Sequence, residues 1–326
     1  LSNQLEIAAG SSGAVSTDLK PRRATGSLLT SVRKHYQLYL LVIPGFLFLV
    51  LFRVVPSFGS LIAWQKFSIF AGFWESEWVG WQNFRDMFLY HNFMRIFRNS
   101  LVIGFQRVVF SFPIPIILAL LLNEIRGVRY KRTIQTLAYF PHFLSWVIVS
   151  QIVINLLNPD GGLVNVVREA LFGLEPRFFM IERSFFRPIV VISYTWKQAG
   201  FDSIIYLAAL SAIDPQLYEA AAIDGAGRWK QLWHITLASL TPTIVTLLLI
   251  NIGRFLEIGF DQIWTLSNPI VWEVADIFDT YVYRAGLLDG AYSLTTAVNL
   301  FKSAVSLVLL LGANWLAKRL ADTSIF

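Results

Sequence analysis

The chain contains no cysteine, which excludes a disulfide framework, a thiolate metal site and a cysteine nucleophile. Charge is scarce too. Only 15% of the 326 residues are charged, against about 25% in a soluble domain. The four histidines, His35, His91, His142 and His234, show no ligand spacing among themselves. A phosphate-binding loop is missing: GAGRWK at 225–230 does not satisfy G-x-x-x-x-G-K-[ST], and no strand precedes it. No serine-histidine-acid constellation is legible, so the chain reads as non-catalytic, with no cofactor of its own.

What the sequence has instead is apolar length. Hydrophobic residues make up 55% and aromatics 15% of the chain, and they come in long runs rather than alternating, which points to lipid as the solvent. Six runs reach the roughly 20 residues a span needs: 37–60, 98–122, 136–157, 188–211, 240–261 and 292–316. The fold class expected is therefore an all-α membrane protein with six transmembrane helices. Pro44, Pro56, Pro113, Pro115, Pro141 and Pro242 lie in or near these runs and predict bent helices packed around a path.

The net charge of +6 reads as a topology signal, not as nucleic-acid binding. Lys20, Arg22, Arg23, Arg33 and Lys34 precede the first run, Arg126, Arg129, Lys131 and Arg132 crowd the second connection, and Lys318 and Arg319 close the chain. Positive charge gathers on the cytoplasmic side, so both termini are expected there. Residues 1–36 read as a flexible basic tail and 37–97 as the first span with its outer loop. A core of 98–318 and a short tail, 319–326, complete the chain. The outer connection 61–97 holds Trp64, Trp74, Trp78 and Trp81. These are interface anchors, or a surface that receives another protein.

The third inner connection, 212–239, is far longer than a turn requires. Asp214 and Pro215 are placed to open a helix as N-cap and first residue. Gly225 and Gly227 interrupt it, and a second run sets Trp229 and Trp233 one turn apart. On physical grounds this is either a helical pair lying at the membrane face or a docking element for a partner. The stretch EAAAIDGAGRWKQLWHITLA resembles the EAA loop of ATP-binding-cassette importer permeases, E-A-A-x3-G-x9-I-x-L-P. Glu219, Ala220, Ala221, Gly225, Ile235 and Leu237 fit, while Ala238 stands where proline is usual. That departure predicts a less sharp end to the second helix, with Pro242 taking the break.

LALLLNEIRG (118–127), YFPHFLSWV (139–147), SIIYLAALSAIDPQLYEAAAIDGAG (203–227) and NPIVWEVADIFDTYVYRAGL (268–287) are similar to carbohydrate importer permeases of the large-oligosaccharide branch. The resemblance covers about 37–318. It implies the importer-type permease fold in a bacterial inner membrane, with a loop at Glu219, Ala220, Ala221, Asp224 and Gly225 that couples to ATPase subunits. It also implies partners: a second homologous permease, two ATP-binding subunits carrying ATP and Mg, and an extracytoplasmic solute-binding protein.

Intramembrane polar residues mark the candidate path. Asn251, Arg254, Glu257 and Asp261 recur at helical spacing in the fifth run, and Asn299, Lys302, Ser303 and Ser306 in the sixth. Tyr194, Trp196, Lys197 and Asp202 lie in the fourth, Gln106 and Arg107 in the second. Arg254 and Glu257 are alternatively a self-neutralising pair. Arg107, Lys197, Arg254 and Lys302 exceed Asp202 and Glu257, which suits an anionic oligosaccharide; pairing with acids of a partner permease or with helix ends is the alternative. By resemblance, alginate-type importers are the specific expectation. The rival from another class is a membrane-embedded glycan- or lipid-modifying enzyme built on Asp276, Asp279 and Arg284; an ion-coupled carrier is disfavoured by the loop.

Overall fold

Apolar runs become helices. The computed structural model describes residues 36–321, with side chains as far as Arg319. The expected N-terminal tail thus lies outside the described residues except for Tyr36, and the C-terminal tail is described only to Ala321. Two-residue β1 (Gln65–Lys66) and β2 (Glu77–Trp78) pair antiparallel, and no other strand occurs among the described residues.

The chain divides into two units, one ending at Gly59 and one beginning at Ser60. In the first, α1 (Tyr36–Leu49) runs through Pro44 into a π turn, Val50–Val54. None of its residues is buried.

The second unit holds the other α-helices of seven residues or more. In order they are α2 (Gln82–Leu89), α3 (Phe93–Gln106), α4 (Pro113–Glu124), α5 (Val128–Tyr139), α6 (Trp146–Leu157) and α7 (Leu163–Phe172). There follow α8 (Arg183–Ser211), α9 (Pro215–Ile223), α10 (Leu237–Gly253), α11 (Phe260–Leu266) and α12 (Tyr292–Ala321). A π turn, Arg107–Ser111, joins α3 to α4, so Phe93–Glu124 is one bent helical stretch.

Four stretches are long and apolar enough to cross a membrane: Tyr36–Trp64, Phe93–Glu124, Arg228–Gly253 and Tyr292–Arg319. A bent pair makes a fifth if counted as one span. The remaining expected run, 188–211, lies within the 29-residue α8. At 1.5 Å per residue this helix is roughly 43 Å long and able to span. Its middle carries Lys197, Gln198 and Asp202, and it is not among the four.

Two expected runs are corrected. Residues 136–157 are not one helix: α5 ends in a 3-10 turn, Phe140–Phe143, and the chain re-enters α6 at 104°. Pro141 lies in that turn, and the Ser145 hydroxyl accepts from the Ile148 N–H at 3.3 Å to start α6. The fifth run begins earlier and ends earlier than 240–261. Helix is continuous over Arg228–Gly253, passing through Pro242 without the expected break. It stops before Arg254, leaving 257–259 irregular.

Packing in lipid rests on close approach and interhelical hydrogen bonds, because tails are as apolar as leucine. Gly200 on α8 lies so near the Ala138 carbonyl that a methyl group there would collide with it. Hydroxyl pairs cross between elements, Ser150–Thr265 at 2.5 Å and Thr195–Ser111 at 2.7 Å, each contributing about 0.6–2 kcal/mol. Near the start of α8, Ile103, Phe186, Val190, Ile263 and Leu266 form one buried cluster; near its end Ala119, Tyr206, Leu210 and Leu240 form another. The polar middle of α8 lies between them.

Candidate translocation path and coupling loop

That polar middle faces a cavity of about 370 Å³. The π turn supplies one wall with Arg107 and Ser111, α8 a second with Tyr194, Gln198, Asp202 and Tyr206, and the end of α10 with the segment after it a third with Asn251, Arg254 and Glu257. Gly104 allows the third wall to approach: a Cβ there would meet the Phe255 carbonyl at 2.7 Å.

Arg107 is the most constrained of these groups. The π turn shifts the helical register by one residue, and the side chain is held at two points. One Nη2–H donates to Gln262 Oε1. Gln262 is itself fully buried and fixed by donating to the Val190 carbonyl at 2.7 Å and to Ser193 Oγ at 2.9 Å. The guanidinium also stacks over Tyr194, 4.1 Å from the ring centroid, a cation–π contact. Its Nε has no protein partner. The arrangement holds a planar cation against an aromatic face at the cavity wall, which is suited to a carboxylate oxygen and an apolar sugar ring face.

The structure brings Tyr194, Asn251, Arg254 and Glu257 together with Arg107 and Asp202. The expected helical stripe 251–254–257–261 does not exist as such, because α10 ends at Gly253. Nor do Arg254 and Glu257 neutralise one another: both are exposed, and among the described residues no ion pair joins them.

The other expected path residues lie elsewhere. Trp196 is 47% exposed and Asn299 is exposed, and neither lines the cavity. Lys302 is paired with Asp279. Lys197 is buried, and its ammonium donates to the carbonyls of Pro141, His142 and Leu144 at 3.3, 2.5 and 2.6 Å. The Pro141 carbonyl also accepts from the Leu144 N–H at 3.2 Å, while those of His142 and Leu144 face the break between α5 and α6, so Lys197 caps a bend and does not line the cavity.

Lys197→Met would leave the His142 and Leu144 carbonyls without this donor, at about 1–3 kcal/mol for each buried group left unsatisfied. The expected result is a thermal midpoint several degrees lower, with relative use of charged and neutral substrates unchanged. A shifted substrate preference at an unchanged midpoint would restore Lys197 to the path.

The cluster that the enzyme reading needs is likewise committed to structure. Asp276 accepts from Arg284 at 2.5 Å and from the Thr280 hydroxyl at 2.6 Å, and Asp279 pairs with Lys302.

The other candidate element is α9 with its bend. The Asp214 carboxylate accepts from the Gln216 N–H at 2.9 Å and Pro215 opens the helix, as the sequence predicts. After Ile223 the chain turns through Gly225 at φ +76°, a left-handed conformation natural to glycine. Ala226 N–H returns to the Ala221 carbonyl at 2.8 Å. Glu219, Ala220 and Asp224 are exposed, and α9 buries none of its residues. The Tyr218 hydroxyl lies 3.0 Å from Thr236 Oγ1, linking α9 to the π turn Leu232–Thr236 within the following span. The second helix of the expected pair is therefore the start of that span itself, to which α9 is tied by this hydrogen bond.

A protein-family model for the binding-protein-dependent transport system inner membrane component matches residues 111–322, well over half of the chain. The chain belongs to this family. The permease is 45% identical over 300 residues to protein LplB of Bacillus subtilis strain 168, covering 92% of this chain and 94% of that protein. It is 46% identical over 299 residues to the polygalacturonan/rhamnogalacturonan transport system permease protein YteP of the same organism, covering 92% and 93%. A crystal structure of a bacterial alginate transporter, in complex with its alginate pentasaccharide-bound periplasmic protein, contains a chain similar to the permease at a TM-score of 0.84 and 37% identity, covering 92% of this chain and all of that one.

The permease is a multi-pass inner-membrane transport subunit and not an enzyme. Three polar residues of the cavity wall, Ser111, Gln198 and Tyr206, are not among the candidates the sequence offers. Gln198 was legible as the neighbour of Lys197 one position round the helix, while Tyr206 read as part of an apolar run.

Proposed function

We propose that the permease carries an acidic oligosaccharide, with uronate units of the alginate or polygalacturonate kind, through the cavity that Arg107 and Tyr194 line. The observation that carries this reading is the half-buried Arg107 guanidinium, fixed by Gln262 and stacked on Tyr194. The relatives named for polygalacturonan and alginate transport support it. Arg254, Asn251 and Glu257 form the mouth of the same path.

In this reading both termini and α9 face the cytoplasm, following the basic residues around 126–132 and at Lys318 and Arg319. The core 98–318 acts with a second homologous permease, two ATP-binding subunits that hold ATP and Mg, and an extracytoplasmic binding protein. Glu219, Ala220, Ala221, Asp224 and Gly225 form the surface that docks on an ATPase. ATP binding draws the ATPases together and pulls α9, which is tied to the fifth span through Tyr218 and Thr236, and the cavity turns outward. Hydrolysis resets it.

ATP-driven uptake of labelled uronate and neutral oligosaccharides into proteoliposomes holding the whole transporter tests the proposal. Uptake of uronates in preference to neutral sugars of equal length is expected. Equal uptake of both removes the acidic reading and leaves a neutral-sugar importer; chemical conversion of the sugar without ATP removes both.

A further inference from the structure

The helix α5 takes no part in the cavity or in the coupling loop. Over Val128–Tyr139 it carries Arg129, Lys131 and Arg132 and no acidic residue, and Arg126 precedes it. None of its residues is buried, and among the described residues none of the four ion pairs uses these cations. Basic groups this dense, without internal counter-charges, attract an external anion.

The placement of α5 narrows the kind of anion. The helical stretch that contains it meets α6 at 104°, so when α6 runs across the bilayer α5 lies close to the plane of the membrane surface. Val128, Tyr130 and Leu137 are exposed beside the arginines, the mixed apolar and basic character of a helix at a headgroup boundary. A shallow groove of about 410 Å³ runs along it, lined by Val128, Arg129, Arg132, Thr133, Thr136 and Leu137. The Thr133 and Thr136 hydroxyls donate to the Arg129 and Arg132 carbonyls at 3.0 and 2.9 Å. The donors left to a ligand are therefore the two guanidiniums, whose planar forks match phosphate oxygens.

We propose that this groove is a binding site for an anionic phospholipid. Its phosphodiester sits between Arg129 and Arg132, and its acyl chains run along Val128 and Leu137. The site concerns the lipid around the permease and does not depend on which sugar is carried.

The test is native mass spectrometry of the assembled transporter in detergent, titrated with phosphatidylglycerol or phosphatidylcholine. Native transporter is compared with Arg129→Gln/Arg132→Gln and with the control Lys318→Gln/Arg319→Gln. A basic side chain near an anionic lipid surface contributes about fivefold in affinity, so the paired substitution is expected to weaken phosphatidylglycerol retention by roughly 30-fold. The control and the native protein are expected to retain it alike, and phosphatidylcholine is expected to bind weakly to all. Equal retention of the two lipids by the native protein, or undiminished phosphatidylglycerol on the paired variant, overturns the proposal. Displacement of the lipid by inorganic phosphate at matched concentration assigns the groove to free phosphate and also overturns it. Loss of a subunit from the paired variant identifies the face as a protein contact, with the same consequence.

Discussion

Glu219→Lys is expected to reduce substrate-stimulated ATP hydrolysis of the reconstituted transporter by roughly 30-fold or more, the scale seen when one partner of a buried charge pair at an interface is lost. The chain itself should fold and insert as before. Glu219 is exposed on a helix that buries none of its residues, so reversing its charge disturbs no internal packing. The helix is set by Asp214, Pro215 and the Gly225 turn, all of which the substitution leaves in place. A deficit in ATPase stimulation, with normal amounts of assembled complex or with the ATPases released, therefore reports on the docking face. Gly225→Val should give a similar phenotype by another route. At φ +76° a side chain costs about 1–2 kcal/mol, and a β-branched one re-aims the end of α9. If Glu219→Lys keeps full stimulation, α9 is a passive surface helix.

Arg107→Gln is expected to lower uptake of uronate oligosaccharides by about tenfold to a hundredfold, the value of a charge-assisted hydrogen bond of about 1.5–3 kcal/mol, while neutral sugars lose little. Removing this cation also risks the fold, because the fully buried Gln262 would lose its partner. Arg107→Lys guards against that ambiguity. It keeps the charge but not the planar fork or the stacking on Tyr194, so it should give an intermediate loss confined to uronates. Arg254→Gln, at an exposed position on the cavity mouth, should produce a smaller and salt-sensitive effect, as an exposed charge steers more than it binds. Loss of uronate and neutral uptake in equal proportion on Arg107→Lys would mean that Arg107 supports the helix bend and does not read the substrate.

The periodic and local features were legible in the sequence, and the tertiary ones were not. Long apolar runs gave the helices because lipid leaves few alternatives for the backbone, and Asp214-Pro215 gave the start of α9 because capping is decided within a few residues. The apolar pattern did not reveal that 136–157 breaks at Pro141, since a run reads the same whether straight or folded back on itself. For the same reason α10 seemed to continue past Gly253, although Glu257, Ile258 and Gly259 are irregular.

The candidate path suffered most from this limit. Intramembrane charge picks out polar positions, but composition cannot separate a group that lines a cavity from one that holds a bend. Lys197 is a buried and Arg107 a half-buried cation, both on polar stretches. One is consumed by the carbonyls of Pro141, His142 and Leu144, and the other retains an unpartnered Nε. Lys302 looked free because its partner Asp279 is 23 residues away along the chain. Without Lys197 and Lys302 the basic excess of the path falls to Arg107 and Arg254 set against Asp202 and Glu257. The acidic-substrate proposal therefore rests on the geometry of Arg107 and not on a surplus of charge.

The most direct test of the account is the ATPase activity of the reconstituted transporter, with its binding protein present, across neutral and uronate oligosaccharides of matched length. The account predicts stimulation by uronates, lost in Glu219→Lys and selectively weakened in Arg107→Lys. Stimulation by neutral sugars alone, or stimulation by uronates that neither substitution alters, would contradict it.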